Sequence, residues 1–175
     1  TVSRPFPSVV LLPDEDGNLG AGRPTMFAAA PILAEADDGE PPDDDASNVV
    51  AAIAFRLRPD VDFTRILSVA RSGETGETYA FDANGMLVSN SRFDQQLKQI
   101  VLLPNVPQAR SIMNVQIRDP GVDMTTGARP ALPRNEQPLT KMAAAATQGQ
   151  SGLDVDGYND YRGVPVIGAW DWLDQ

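Results

Sequence analysis

The 175-residue sequence contains neither cysteine nor histidine. Without cysteine the chain forms no disulfide and has no thiolate nucleophile. Without histidine it lacks the usual general base, the commonest metal ligand and the serine–histidine–aspartate triad. Its apolar runs fall far short of the roughly 20 residues that a membrane-spanning helix needs. These absences argue against most familiar classes of hydrolase.

Positive charge is scarce, because 14 Lys and Arg face 24 Asp and Glu and the net charge is −10. Nucleic-acid binding needs a basic stripe to contact phosphates, and none is visible, so no nucleic-acid partner is expected. The acidity also argues against an anionic membrane surface. Because 42% of the residues are apolar, a chain of this length can bury a substantial core.

An Asn-Gly pair, Asn84-Gly85, lies between two short apolar segments and predicts a β-hairpin. The expected strands are Thr78–Asp82 and Met86–Asn90. A two-residue loop would place Phe81 opposite Val88, whereas a four-residue turn would shift that register.

The register decides which side chains of this hairpin share a face. With the two-residue loop, Tyr79 and Met86 lie on the same face as Phe81. The other face then carries small and partly polar residues suited to a ligand or to solvent: Thr78, Ala80, Ser89 and Ser91.

Strands and helices alternate along the rest of the chain, which indicates an α+β fold. The apolar pattern of the first predicted helix would bury Phe63, Ile66, Leu67 and Ala70. Predicted strands are Pro24–Leu33, Val49–Leu57, Ile112–Ile117 and Val164–Trp172, the first two forming a hairpin. Predicted helices are Asp60–Arg71, a short one near 93–101, and Pro138–Gln148.

Two acidic segments invite a metal or catalytic interpretation. The run 35–48 is interpreted as a solvated loop, with a calcium site as the alternative. The segment Asp154–Asp160 is interpreted as a polar turn, because its glycine departs from the EF-hand position. A glycosidase-like carboxylate pair stays open, although no particular pair stands out.

Arg92 and Arg162 each lie among aromatic and hydroxyl residues, an arrangement suited to a carboxylate ligand. A structural arginine paired with an acid is the favoured alternative in so acidic a chain. Trp170 and Trp172 share a strand face and are expected to pack rather than to stack on a ligand. Gly73–Gly76 lacks the Gly-Lys-Ser/Thr of a phosphate loop and predicts a helix end followed by a turn.

Two segments resemble the Cache family of PAS-like sensor domains. One is Gly-Glu-Thr-Gly-Glu-Thr-Tyr with the following Asp-x-x-Gly turn and Leu-Val-Ser-Asn-Ser-Arg-Phe, over residues 73–93. The other is Gly-Tyr-Asn-Asp-Tyr-Arg-Gly-Val-Pro-Val-Ile-Gly-Ala-Trp, over residues 157–170. The resemblance implies a twisted antiparallel sheet with helices packed on one side.

The resemblance also implies an organisation. Residues 1–58 would be an arm and hairpin left from a membrane-distal module, 59–72 a connecting helix, and 73–175 a PAS-like module lacking its last strand. Such a sheet would have an unpaired edge, to which the 24–57 hairpin is expected to add, unless two chains pair as a homodimer.

The implied function is that of a periplasmic, extracytoplasmic sensor module of a membrane receptor, anchored by helices outside this sequence. It would not be an enzyme and would need no cofactor or metal, although an output domain of the receptor can be catalytic. It would bind a small molecule, such as a carboxylate or an amino acid, or relay such binding to a cytoplasmic output domain. A structural or dimerisation module without a ligand, and a carboxylate-based hydrolase, are the competing hypotheses. The expected ligand-binding residues are Tyr79, Phe81, Ser89, Ser91, Arg92, Tyr158, Tyr161, Arg162 and Trp170.

Overall fold

The computed structural model describes residues 1–13, 17–34 and 48–173. Within these ranges it contains three α-helices and antiparallel strands, so the predicted α+β class is confirmed. The chain divides into two compact units, Thr1–Pro59 and Asp60–Gln175. The run 35–48, interpreted as a solvated loop with a calcium site as the alternative, lies outside the described residues except for Asn48.

The first unit is built on the predicted hairpin of β4 (Pro24–Leu33) and β5 (Val49–Leu57). The short strand β1 (Phe6–Pro7) pairs with the other edge of β4. Ahead of the hairpin, β2 (Leu12–Pro13) and β3 (Leu19–Gly20) form a small ribbon. Strict alternation in β5 and the apolar, extended character of β4 explain why both strands could be predicted.

Within the first unit, β5 forms an edge of its sheet. β4 lies between β1 and β5, and β5 has no second partner among the described strands. Large apolar side chains of β5 are exposed, including Val50 and Phe55. Alternation therefore predicted the strand correctly, but it did not predict a covered face.

In the second unit, α1 covers Asp62–Ser68, which is shorter than the predicted helix. None of its residues is buried, and Ile66 is 64% exposed, so the predicted buried face is wrong. The helix has only about two turns. Phe63 and Leu67 are half-buried, and the remainder of the apolar stripe faces outward.

The other two helices lie within the predicted ranges. α2 covers Asp94–Gln99 and ends before Pro104. α3 covers Lys141–Ala146, and the Thr140 side chain accepts a hydrogen bond from the Ala143 N–H, which caps its first turn.

The central hairpin forms, but in a register that differs from the two-residue-loop prediction. Phe81 is bridged to Leu87 rather than to Val88. Asp82 organises the longer turn, because its Oδ1 accepts hydrogen bonds from the N–H groups of Asn84 and Met86 at 2.8 and 2.9 Å.

This shift exchanges the faces of the second strand, because the side-chain period of a strand is two. Leu87, Ser89 and Ser91 are buried, while Met86 and Val88 are only half-buried. Ser89 and Ser91 therefore do not face solvent, one of the two environments that the two-residue loop allowed for their face.

Further antiparallel pairing connects this hairpin to later segments. Met86 is bridged to Gln116, and Arg118 to Leu139. The predicted strand Ile112–Ile117 is wrong in its first half, because the N–H groups of Asn114 and Val115 both bond to the Ser111 carbonyl in a turn. The core beneath these segments contains Leu87, Leu97, Leu103, Val115, Ile117, Ala143 and Tyr161.

The C-terminal hairpin pairs β6 (Gly152–Asn159) with β7 (Pro165–Trp170). β7 lies inside its predicted range, but β6 occupies the segment interpreted as a polar turn. Its register shifts between Asp154 and Tyr158, and Gly157 there has φ +101°, a conformation suited to a bulge. The described sheets remain separate, so the finer Cache/PAS-like arrangement is not shown.

Candidate functional site

The two segments that carry the family resemblance meet in a buried polar cluster. The Tyr161 hydroxyl lies 2.7 Å from Glu77 Oε2 and 2.7 Å from Ser91 Oγ. Tyr161 is fully buried and Ser91 nearly so. We call Glu77, Ser91 and Tyr161 the Glu77 cluster. It joins the start of the central hairpin to the turn between β6 and β7.

The Glu77 carboxylate is the acceptor at the centre of the cluster. Its Oε1 accepts hydrogen bonds from Ser91 Oγ at 2.6 Å and from the Arg92 N–H at 2.7 Å. Ser91 is held in place by its own backbone, since its N–H donates to Ser111 Oγ at 2.6 Å. The carboxylate thus meets three donors, as an enclosed charge requires.

Burial raises the pKa of the Glu77 carboxyl, and the hydrogen bonds from Ser91, Tyr161 and the Arg92 N–H oppose that rise. Burial, followed by the nearby Glu77 charge, also raises the pKa of the Tyr161 hydroxyl well above its usual range. Tyr161 therefore stays protonated at neutral pH and serves as a donor.

Three of the predicted ligand-binding residues pack beside this cluster. The Tyr79 ring meets the Tyr161 ring edge-on, with centroids 5.7 Å apart, and lies 6.3 Å from the Phe81 ring. Ser89 Oγ accepts a hydrogen bond from the Ala80 N–H at 3.0 Å. These side chains are committed to the core and to the hairpin.

Arg92 closes the Gly73–Gly76 turn. Its Nη1 donates to the carbonyl oxygens of Gly73 and Gly76 at 3.0 and 2.7 Å. Gly76 approaches the Ser72 backbone so closely that a Cβ would lie 2.2 Å from the Ser72 carbonyl oxygen. The glycines thus serve a tight turn held by an arginine of the same chain.

Arg162 is paired with an acidic residue of the same chain, as the alternative to a ligand-binding arginine predicted. Its Nε and Nη2 donate to Asp160 Oδ2 at 2.9 and 2.6 Å, and its Nη1 donates to Gln96 Oε1 at 2.6 Å. The guanidinium carbon lies 3.6 Å from the centroid of the Phe93 ring. Both Arg162 and Asp160 are buried, so this pair fixes the β6–β7 turn against α2.

Tyr158 and Trp170 line the inner face of the C-terminal hairpin. Their rings meet edge-on with centroids 6.5 Å apart, and the Tyr158 hydroxyl donates to Met142 Sδ at 3.4 Å. Burial raises the pKa of Tyr158 to about 12. Trp170 covers Gly152, where a Cβ would lie 2.9 Å from the indole ring. Both rings pack within the hairpin, and Trp170 Nε1 is a buried donor without a hydrogen-bond partner among the described residues.

The carboxylates of the segment 154–160 stabilise local turns. Asp154 Oδ1 accepts from the N–H groups of Asp156 and Gly157, and Asp160 Oδ1 accepts from those of Arg162 and Val164. Within the part of the chain that the structure describes, no group of three or more acidic residues could hold a metal ion.

A shallow cleft of about 240 Å³ lies elsewhere in the second unit. None of the predicted ligand-binding residues lines it. Its walls are Asp119, Pro120, Gly121, Val122, Ala131, Leu132, Gln137 and Pro138.

Sequence reasoning missed Glu77 as the centre of the site. Its surroundings, Thr-Gly-Glu-Thr-Tyr, predicted a turn entering a strand, where a glutamate usually faces water. The only available signal was its position two residues before Tyr79 on a strand with a buried face.

A comparison of the chain with family models, curated proteins and solved structures gave no match. Among the helices of residues 1–13, 17–34 and 48–173, none is long and apolar enough to cross a bilayer.

Proposed function

We propose that this chain is a non-catalytic sensor module of a membrane receptor, placed outside the cytoplasm, which relays small-molecule binding to an output domain. The contact of Tyr161 with Glu77 and Ser91 carries the proposal, because it joins the two segments that resemble Cache modules across 84 and 70 residues of chain. The relay form is favoured over direct binding at the predicted residues, since Arg92, Tyr161 and Arg162 already donate hydrogen bonds to other groups of the chain.

The cluster has properties that suit a relay. A hydrogen-bonded unit with a buried carboxylate is stable in few arrangements, because each arrangement must satisfy every donor and acceptor. A displacement of the β6–β7 turn would have to move the Glu77 strand with it or leave the carboxylate unpaired. Such coupling between segments is what signal transmission requires.

The test uses the full-length receptor. Reporter fusions should place this module on the outer side of the membrane, and a cytoplasmic location would refute the proposal. Tyr161→Phe should reduce the output response to the receptor's stimulus while leaving its ligand affinity unchanged. An unchanged response in a folded variant would remove the relay role.

A thermal-shift screen with amino acids, carboxylates and amines tests whether the module also holds a ligand. Binding to the folded state alone stabilises by RT ln(1 + [L]/Kd), or about 2.7 kcal/mol at a hundredfold excess over Kd. A hit that survives Arg92→Gln and Arg162→Gln would show that neither predicted arginine is needed to bind the ligand.

The alternative, a dimerisation module, is favoured by the outer face of the β6–β7 hairpin. Leu153, Val155 and Ile167 lie on that face, and each is about 70% exposed. Exposed aliphatic side chains in one patch are typical of interaction surfaces. Sedimentation over a concentration series should show a dimer that Val155→Asp dissociates; a monomer at every concentration would refute this alternative.

A further inference from the structure

Two neighbouring arginines, Arg118 and Arg134, lie in the second unit, where Arg134 Nη1 also donates to the Tyr161 carbonyl oxygen at 3.3 Å. Both are half-buried. Arg134 Nη1 donates to the Arg118 carbonyl oxygen at 3.1 Å, so the two residues are in direct contact. Arg118 is a partner in the bridge to Leu139, and Arg134 begins the single 3-10 turn Arg134–Glu136.

The two guanidinium groups are braced by the same two glutamines. The Gln116 carbonyl oxygen accepts a hydrogen bond from Arg134 Nη2 at 2.6 Å, and its side-chain Oε1 accepts one from Arg118 Nε at 3.0 Å. The Gln137 carbonyl oxygen accepts a hydrogen bond from Arg118 Nη1, and its side-chain Oε1 accepts one from Arg134 Nη1 at 2.9 Å. Gln137 is buried and is fixed by its own donation to the Leu132 carbonyl.

All these acceptors are neutral. Among the described residues neither arginine forms an ion pair, although the chain carries 24 acidic residues. The nearest carboxylates are committed elsewhere. Asp160 is paired with Arg162, and Asp119 accepts from the N–H of Gly121 and the side chain of Asn159.

Two like charges that are partly removed from water, with no ion pair to either, form an energetically unfavourable arrangement. Burial, and then the neighbouring Arg118 charge, lowers the pKa of Arg134 to about 10, although the charges of Asp119 and Asp160 oppose that fall. Within the described residues, no hydrogen bond uses Arg118 Nη2 or Arg134 Nε, and neither atom is an enclosed unpaired donor. Each arginine therefore retains a donor for an external acceptor.

We infer that Arg118 and Arg134 form a binding site for the oxyanion of a small molecule, either a carboxylate or a phosphate group. The two remaining nitrogens, Arg118 Nη2 and Arg134 Nε, can each donate a charge-assisted hydrogen bond to an oxygen of such a group. The glutamine bracing holds both planes in place before an anion arrives, so little ordering is required on binding. The inference goes beyond the proposed function, because anion binding here requires neither a receptor nor a relay.

Arginine side-chain NMR tests the site directly on the intact chain. The Nε–Hε resonance of Arg134 should shift saturably when sodium phosphate or sodium acetate is added, and sodium chloride at matched ionic strength should not reproduce the shift. The anion that binds with the lower Kd identifies whether the site prefers a phosphate or a carboxylate group. Arg110, an exposed arginine that also bonds to backbone carbonyls, provides the reference resonance in the same spectrum.

Two variants sharpen the test. Arg118→Gln should weaken the anion affinity about tenfold or more, as expected for loss of a charge-assisted contact. Arg110→Gln should leave the affinity unchanged. Non-saturating shifts of Arg134 that match those of Arg110 would overturn the inference, and so would equal affinities in the wild-type chain and a folded Arg118→Gln variant.

Discussion

The β4–β5 hairpin and the Glu77 cluster reverse the usual relation between polarity and burial. The hairpin strand β5 reads Val-Val-Ala-Ala-Ile-Ala-Phe-Arg-Leu, yet Phe55 is 63% exposed. In the second unit Ser91 is 6% exposed and Arg162 is 6% exposed. Hydrogen bonds and ion pairs offset the cost of burying these polar residues. The side chains of the apolar strand β5, by contrast, are almost all exposed.

The two regions should therefore respond differently to substitution. In the cluster each side chain is required by several others, so removing one leaves partners unpaired. On β5 each side chain contacts few others, so a substitution should remain local. The following predictions test that difference in order of decreasing effect.

The largest effect is expected for Glu77→Ala, which removes the shared acceptor. Tyr161, Ser91 and the Arg92 N–H would each lose a hydrogen bond in a buried setting. The free energy of unfolding should fall by about 4 kcal/mol. Chemical denaturation measures it, with the exposed Glu74→Ala as the control, expected within about 0.5 kcal/mol of wild type. Equal losses in both variants would show that the cluster is not a cooperative unit.

Gly163→Ala should come next, because this glycine completes the turn that carries Tyr161 and Arg162. Its φ is +83°, and a Cβ would lie 1.8 Å from the Val122 carbonyl oxygen. Gly127 has φ +88° but nothing within 4 Å of the same position. Gly163→Ala should destabilise by about 3 kcal/mol and Gly127→Ala by about 1 kcal/mol, the ordinary cost of a left-handed alanine. Similar values would mean that the close approach to Val122 is easily relieved.

A smaller effect is expected from pH. Because burial raises the pKa of Glu77 in the folded state, folding favours its protonated form. The stabilisation is complete below the unfolded-state value of 4.5 and is lost as the pH rises through the higher folded-state pKa. The free energy of unfolding of wild type relative to Glu77→Gln should therefore fall as the pH rises above 4.5. A difference that grows toward neutral pH would contradict the raised pKa.

The smallest effect is expected on the hairpin. Phe55→Ser should change the free energy of unfolding by less than about 0.5 kcal/mol, because the ring is largely exposed. Leu87→Ala, at a fully buried position of the second unit, should cost about 3 kcal/mol. A loss above about 2 kcal/mol for Phe55→Ser would show that β5 is covered in solution, and its dependence on protein concentration would identify pairing between chains.

The sequence alone determined the local elements. Alternation predicted β5, an apolar extended segment predicted β4, Asn84-Gly85 predicted the central hairpin, and a helical pattern ending before Pro104 predicted α2. These signals depend on a few consecutive residues, since backbone preferences and side-chain periodicity act over short distances. Composition alone excluded histidine and thiol chemistry in this sequence, because it contains neither residue.

Tertiary structure decided which faces are buried and which polar groups meet. The Asp82 turn fixed the register and moved Ser89 and Ser91 inward, a choice that the Asn-Gly pair left open. The pairing of Glu77 with Tyr161 joins residues 84 positions apart. No local preference specifies such a contact, because it becomes favourable only when the folded chain has excluded water from both groups.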